Sequence, residues 1–366
     1  MSLLLALFTP AFAGDVFASV ESETMLGMGG TWARLHPSEE GWWFFQTAGG
    51  DFWAEDLTPE LGDYDDRARI QLTENATLQD VQIERCDDGG WLVAGSFTLD
   101  TFDDSAHAWR HDADFNLLGE IVIEEREDAR AHNDMVVLCS DVATGVAYAN
   151  SRGGGTSSFF DIDGTTLGER HEVDLQVMGG SMAIRPSDGR IVSADIQGPQ
   201  GDTIRISVFE ADWTPVDTVN VPVPQDLAFW PQRLLPYGDG WILTYLTRAA
   251  AGGGTEGAVW LMAMDANFQV VDSIEVTSSE GGGNGRPWVV RRGDVLGVTY
   301  DRNVQPYIRL VNLQGDSVPD GDDLPDTGPR DEDTAADGAA TGCGCGGGSS
   351  ALLLAPLALL IRRRRG

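Results

Sequence analysis

Five positions carry side chains suited to chemistry on a polar ligand: Asp80, His132, Asp134, Gln232 and Arg286. Carboxylate, imidazole, amide and guanidinium together supply proton donors, proton acceptors and a fixed positive charge. Such a set can orient a glycan or a peptide. With His132, Asp134 and Asp80 as acid and base, it could also hydrolyse or eliminate across a bond. No motif of a known reaction surrounds them: the chain has no G-x-S-x-G elbow, no phosphate-binding glycine loop and no paired-histidine metal helix. Asp112-Ala-Asp114-Phe-Asn116 opens like a calcium loop but lacks the glycine at the sixth position and the glutamate at the twelfth. It reads first as a turn, as does Asp161-Ile-Asp163-Gly164. No cofactor is expected, and calcium is the one cation worth testing. His107 and His111 fall on a strand and its turn, where exposure to solvent is the expectation.

The elements that must position these residues repeat. Four segments share an ending of strand, acidic turn and strand, beginning at Ala108, Ser158, Val208 and Met262, with a weaker fifth at Leu310. Upstream of them, a glycine precedes an aromatic or aliphatic strand at Gly41, Gly90, Gly145, Gly189, Gly240 and Gly293. Anchors about 50 residues apart match the length of one four-stranded propeller blade. The fifth unit shows the pattern in full: strands at Arg233–Pro236, Trp241–Leu246, Ala258–Met264 and Phe268–Val276, separated by a Gly turn, a Gly-rich loop and an Asp-Ala-Asn turn. No stretch has the period of a long amphipathic helix. The expected fold is therefore an all-β propeller of about six blades, within residues 14–318, in units of Gly29–Asn75, Ala76–Asp128, Arg130–Val177, Met178–Pro224, Gln225–Glu280 and Gly281–Val318.

The last unit runs out of chain after its acidic turn, so its outer strand is missing. Asp15–Glu23 alternates apolar and polar residues and belongs to no other unit, and it is expected to supply that strand and close the ring. In a propeller, the loops leading into the innermost strands line the channel mouth. Here they hold Gln79 and Asp80, His132 to Asp134, Gly180 and Ser181, Trp230 and Gln232, and Asn284 and Arg286. Trp42, Trp91 and Trp241 share one repeat position, which marks them as packing between blades. Cys86 and Cys139 stand near the ends of the first strands of neighbouring units. They are read as a disulfide, with two buried free thiols as the alternative.

The two ends read as sorting signals. Ser2–Phe8 is a short apolar run, and Ala11-Phe-Ala13 before Gly14 is a small-x-small cleavage pattern, giving a signal peptide over residues 1–13 cut by signal peptidase between Ala13 and Gly14. No basic residue precedes the apolar run, so either the initiating amine supplies the charge or the start lies upstream. Residues 319–341 form an Asp-, Thr-, Gly- and Pro-rich acidic linker with no apolar period to bury. Residues 342–366 follow with Cys343 and Cys345, an apolar segment over Ala351–Ile361 and Arg362 to Arg365. That segment is shorter than the ~20 residues of an ordinary membrane span.

These three parts, in this order, resemble the MYXO-CTERM sorting domain of surface proteins of myxobacterial type. The resemblance implies processing at the cysteine motif by a myxosortase, a rhomboid-like or CAAX-type membrane protease, and display on the cell surface or outer membrane. Leu324-Pro-Asp-Thr-Gly328 spells a rival sortase sequence, but the linker and the cysteines separate it from the apolar segment.

Composition limits the partners. Acidic residues number 58 against 24 basic ones, all of them arginine, for a formal net charge of −34. That field opposes nucleic acid and anionic membranes, leaving the tail as the only membrane contact. The expectation is a monomeric, exported, surface-anchored propeller that binds an extracellular glycan, peptide or protein. The competing expectation is an exported hydrolase or lyase with its site at the channel mouth.

Overall fold

Short alternating segments joined by tight Gly and Asp turns can satisfy their backbone only by pairing with the next segment along, which builds antiparallel meanders. The protein does this throughout. The structure, a computed structural model, describes residues 16–314 apart from 27–30, 49–50, 62–63, 71, 73–76, 100–102, 126–134, 149–156, 174–179, 197–202, 224–227, 248–256, 279–283 and 304. At the N-terminus lie β1 (Phe17–Val20) and β2 (Thr24–Met25). Blade 1 is β3 (Thr31–Pro37), β4 (Trp42–Ala48), β5 (Asp51–Leu57) and β6 (Tyr64–Ile70). Blade 2 is β7 (Thr77–Arg85), β8 (Trp91–Leu99), β9 (Asp103–His111) and β10 (Leu117–Glu125). Blade 3 comprises β11 (Met135–Cys139), β12 (Thr144–Tyr148), β13 (Ser157–Asp163) and β14 (Thr166–Val173). Blade 4 comprises β15 (Ser181–Ile184), β16 (Ile191–Ile196), β17 (Thr203–Phe209) and β18 (Pro215–Pro222). Blade 5 has β19 (Ala228–Tyr237), β20 (Gly240–Thr247), β21 (Val259–Met264) and β22 (Val270–Thr277); blade 6 has β23 (Asn284–Arg292), β24 (Val295–Arg302) and β25 (Gln305–Leu313).

Each sheet keeps its strands in chain order, and the first strands β3, β7, β11, β15, β19 and β23 contact one another in sequence and close on themselves. The fold is a six-bladed β-propeller. Six apolar clusters hold it, one at each blade–blade interface among the described residues. Trp42 packs between blades 6 and 1, Trp91 between 1 and 2, and Trp241 between 4 and 5, all at most 2% exposed. Those indoles are wedges, each removing a large apolar area from water.

The acidic turns have a shared construction. Asp112 Oδ1 accepts the N–H groups of Asp114 and Asn116 at 2.9 and 2.8 Å, and Asp265 Oδ1 does the same for Asn267 and Gln269. The residue inside each loop is an aromatic at positive φ: Phe115 at 63° and Phe268 at 61°. Each folds back onto the tryptophan of its own blade, Phe115 on Trp91 and Phe268 on Trp241. The carboxylate thus holds a strained turn, and the stacked ring offsets its cost.

Blade 6 is completed from the other end of the chain. β1 pairs antiparallel with β25, Phe17 opposite Leu313 and Val20 opposite Val311, and β2 continues along the same edge. Two carboxylates fasten this segment. Asp272 of blade 5 accepts the N–H groups of Val16 and Phe17 at 2.7 and 3.0 Å. Glu23 takes two hydrogen bonds from Arg302, each 3.0 Å, and one from the Tyr300 hydroxyl. Between blades 2 and 3, Cys86 and Cys139 are joined as a disulfide with their Cα atoms 4.7 Å apart. The free-thiol alternative is thereby set aside.

One expectation is corrected. His107 and His111 are buried, at 6% and 0% exposure. Their strand β9 lies between β8 and β10, so both its edges are covered; His107 also meets Glu120 at 2.7 Å and stacks on Trp109.

Candidate functional site

Innermost strands of a propeller present alternate side chains to the channel, so polar residues spaced two apart on these strands build its lining. β7 carries Gln82 and Glu84 in that spacing, and β3 carries Trp32, Arg34 and His36. The inner strands of blades 1, 2, 5 and 6 are also bulged in their first halves: between Thr31 and Arg34, Leu78 and Asp80, Pro231 and Arg233, and Gly285 and Trp288. A bulge re-aims the side chains beside it, and bulges gather near functional sites.

The result is a column of alternating guanidinium and indole groups drawn from three blades. At the mouth, Arg286 lies 4.2 Å from the Trp32 ring centroid. Arg34 lies 5.4 Å from the same ring and 4.6 Å from that of Trp288. Arg233 meets Trp288 in turn at 4.4 Å. Each contact is a cation–π pair, which gains strength where water is excluded. Trp32 and Arg286 sit at φ of 61° and 50°. Positive φ for such bulky residues costs about 1–3 kcal/mol each, and persists only where the surroundings enforce it.

Acids and amides complete the column. Asp301 Oδ2 accepts the Trp32 backbone N–H at 3.2 Å and Arg286 Nη1 at 3.3 Å. Asp301 is 3% exposed, its Oδ1 has no hydrogen-bond partner among the described residues, and burial pushes its carboxyl above the usual aspartate range. Arg34, fully buried, donates to Gln82 Oε1 at 3.1 Å and to the carbonyl of Ala33 at 3.0 Å. Arg233 makes a two-pronged pair with Glu84, one arm of it 2.9 Å. Burial, and then the charge of Arg34, pull the Arg233 pKa down to about 9. Three guanidinium groups face two carboxylates here, a positive column inside a strongly acidic chain.

Below Arg34 the lining is structural. His36 donates or accepts at Nε2 with the Ile83 carbonyl, 3.0 Å away, and lies edge-on to Phe45 and Trp91. Burial, followed by the charge of Arg233, lowers its pKa to about 3, so the ring is neutral.

Of the residues singled out from sequence, Arg286 stands in the column and Ser181 beside it. Asp80 lies in β7 two residues before Gln82, and Gln232 in β19 next to Arg233; for both, the structure describes the backbone. His132 and Asp134 lie outside the described residues, as do Ala13, Gly14, Cys343 and Cys345. Asn284 serves a different purpose: its amide donates to the carbonyls of Gly257 and Ser278, tying blade 6 to blade 5. Sequence reading missed Trp32, Arg34, Gln82, Glu84, Arg233, Trp288 and Asp301. The alternation of Gln82 with Glu84 was the signal within reach. Among the described residues, no three His, Cys, Asp or Glu side chains converge in a way that would hold a metal ion.

No protein-family model and no curated protein matches the chain. Solved structures do resemble it. A protein of unknown function from Dyadobacter fermentans has 14% identity and a TM-score of 0.59, over 81% of this chain and 99% of its own. A triple arginine-to-alanine mutant of AofleA from Arthrobotrys oligospora has 10% identity and a TM-score of 0.50, over 80% and 90% of the two chains. The SapL1 lectin in complex with alpha methyl fucoside has 13% identity and a TM-score of 0.45, over 76% and 90%. At these identities the likeness concerns the fold alone.

Proposed function

We propose that this protein is an exported propeller, anchored at the cell surface through its processed C-terminus, that binds a polar extracellular ligand (a glycan, peptide or protein) at the mouth of its channel. The observation that carries the binding role is the strained pair at that mouth. Trp32 and Arg286, on adjacent inner strands, both hold positive φ and stack on each other over the buried Asp301. A packing role alone would be met by ordinary extended backbone, whereas an aromatic plane and a guanidinium held in one orientation suit recognition of a sugar or peptide. Export rests on residues 1–13, anchoring on residues 342–366, and the partners are signal peptidase and a myxosortase-like protease acting at the Cys343 and Cys345 motif.

The test is a glycan and peptide array probed with the full chain, followed by titration of any hit. Arg286→Ala should weaken binding at least tenfold while leaving the melting temperature within a few degrees of wild type. Equal binding by wild type and variant would remove the mouth from consideration. For the anchor, Cys343→Ala with Cys345→Ala should abolish surface display in the native host, and unchanged display would defeat that part.

One observation favours the hydrolase or lyase reading as a second possibility. Asp301 is kept toward its protonated form by burial, the state a general acid requires. Any glycosidase or lyase activity found should then fall at least a hundredfold in Asp301→Asn.

A further inference from the structure

Beneath the mouth, the channel widens into a small cleft lined by Gln82, Glu84, Met135, Ser181, Arg233 and Trp288, with about 10 Å³ for the centre of a water-sized guest. That is the room of one small ion or one water. The hydrogen bonds already made around the cleft decide what that guest can be. Both Glu84 oxygens are committed to Arg233. Arg34 occupies the Gln82 amide oxygen, which leaves the NH2 end of that amide as the group on offer. Ser181 Oγ accepts the Leu234 N–H at 2.7 Å, so its own proton is available to donate. Trp288 Nε1 donates to the Leu35 carbonyl at 3.2 Å and presents only its ring. Arg233 Nε is buried and has no hydrogen-bond partner among the described residues. Met135 closes the wall with apolar atoms.

Every polar group left over is thus a donor, and the local charge is unbalanced. Arg34 and Arg233 both lie within 4.6 Å of the Trp288 ring centroid, so the two cations are separated by at most twice that distance. Glu84 neutralises one of them, and Gln82, a neutral amide, meets the other. A buried, uncompensated cation is strongly unfavourable and calls for a counter-charge. A water would bring two protons to a cleft already full of them.

The geometry points to a buried site for one small monovalent anion, held by Arg233 Nε, the Gln82 amide and the Ser181 hydroxyl. The acceptor is either a free halide or the carboxylate end of a larger molecule reaching down from the mouth. The site stands independently of the binding role proposed above, because its purpose is to balance the channel's charge. The depressed pKa of Arg233 is consistent with a guanidinium short of such a partner.

Thermal unfolding of the full chain tests it, with sodium chloride, bromide or acetate titrated at constant ionic strength against methanesulfonate, an anion too large for the cleft. Wild type should show a saturable rise in melting temperature of about 2–4 °C. Saturation by halide alone identifies a free halide, and saturation by acetate alone a carboxylate. Gln82→Glu keeps the acceptor for Arg34 and supplies the charge from within. It should melt at or above the anion-saturated wild type and lose the dependence. No saturable rise in wild type, or the same rise in Gln82→Glu, overturns the site. Should the variant fail to fold, anomalous diffraction from wild-type crystals grown in bromide decides the matter: a peak beside Arg233 Nε and Ser181 Oγ supports it, and an empty cleft refutes it.

Discussion

His36 illustrates how a single residue reports on this channel. Its ordinary pKa of 6.5 is lowered to about 3 by burial and by the neighbouring arginines. Between those two values the unfolded chain takes up a proton that the folded chain refuses. Stability is therefore complete above about pH 6.5 and is lost as pH falls toward 3. The expected loss over that window is a few kcal/mol, read from urea midpoints measured at a series of pH values. His36→Gln should flatten that acid limb even if it lowers stability at pH 7, and an unchanged limb would mean that other groups carry it. Glu84 makes the opposite point. Glu84→Gln leaves Arg233 buried without its carboxylate and should cost about 3 kcal/mol, measured by the same midpoints at neutral pH.

At the scale of the element, the N-terminal strand is the part whose contribution is clearest. β1 and β2 cover the edge of β25, and without them a row of backbone groups would face solvent as a template for aggregation. Deleting Asp15–Glu23 should lower the melting temperature sharply and promote self-association, measured by scanning calorimetry and light scattering. An unchanged melting curve would deny the strand its closing role. Asp272→Ala isolates one latch, since it leaves the Val16 and Phe17 N–H groups without their acceptor, and should cost about 1 kcal/mol. This closure was legible beforehand, because blade 6 ends at its acidic turn while Asp15–Glu23 alternates with no sheet of its own. The bulges in β3 and β23 were not legible. Positive φ at Trp32 and Arg286 is enforced by packing and hydrogen bonding from other blades, and no local residue preference announces it.

For the whole molecule, the disulfide between Cys86 and Cys139 ties blade 2 to blade 3 across 53 residues of chain. A link of that span removes about 4 kcal/mol of freedom from the unfolded chain in the loop-entropy picture. Cys86→Ser with Cys139→Ser should lower stability by about that amount. The fall should match what reductant does to wild type, and reductant should have no effect on the variant. The ring as a whole is held by repetition, with an apolar cluster between each pair of blades. Its channel depends on residues that repetition does not reproduce.

That contrast separates what the sequence determined by itself from what the tertiary structure decided. Blade number, the position of the acidic turns, the wedge tryptophans and the supply of the last strand were all written in local patterns. Each depends on strand period, turn chemistry and spacing along a few dozen residues. The column of Arg286, Trp32, Arg34, Trp288 and Arg233 was decided only by ring closure, which brings together side chains from blades 1, 5 and 6. Arg34 meets Trp288 across more than two-thirds of the chain. Asp80, Gln232 and Arg286 were sought as the chemistry of the mouth, and of these the described side chain, Arg286, does stand there. The groups that give it a setting could not be named in advance, because an arginine on a strand becomes a buried cation only when the neighbours that exclude its water arrive from elsewhere.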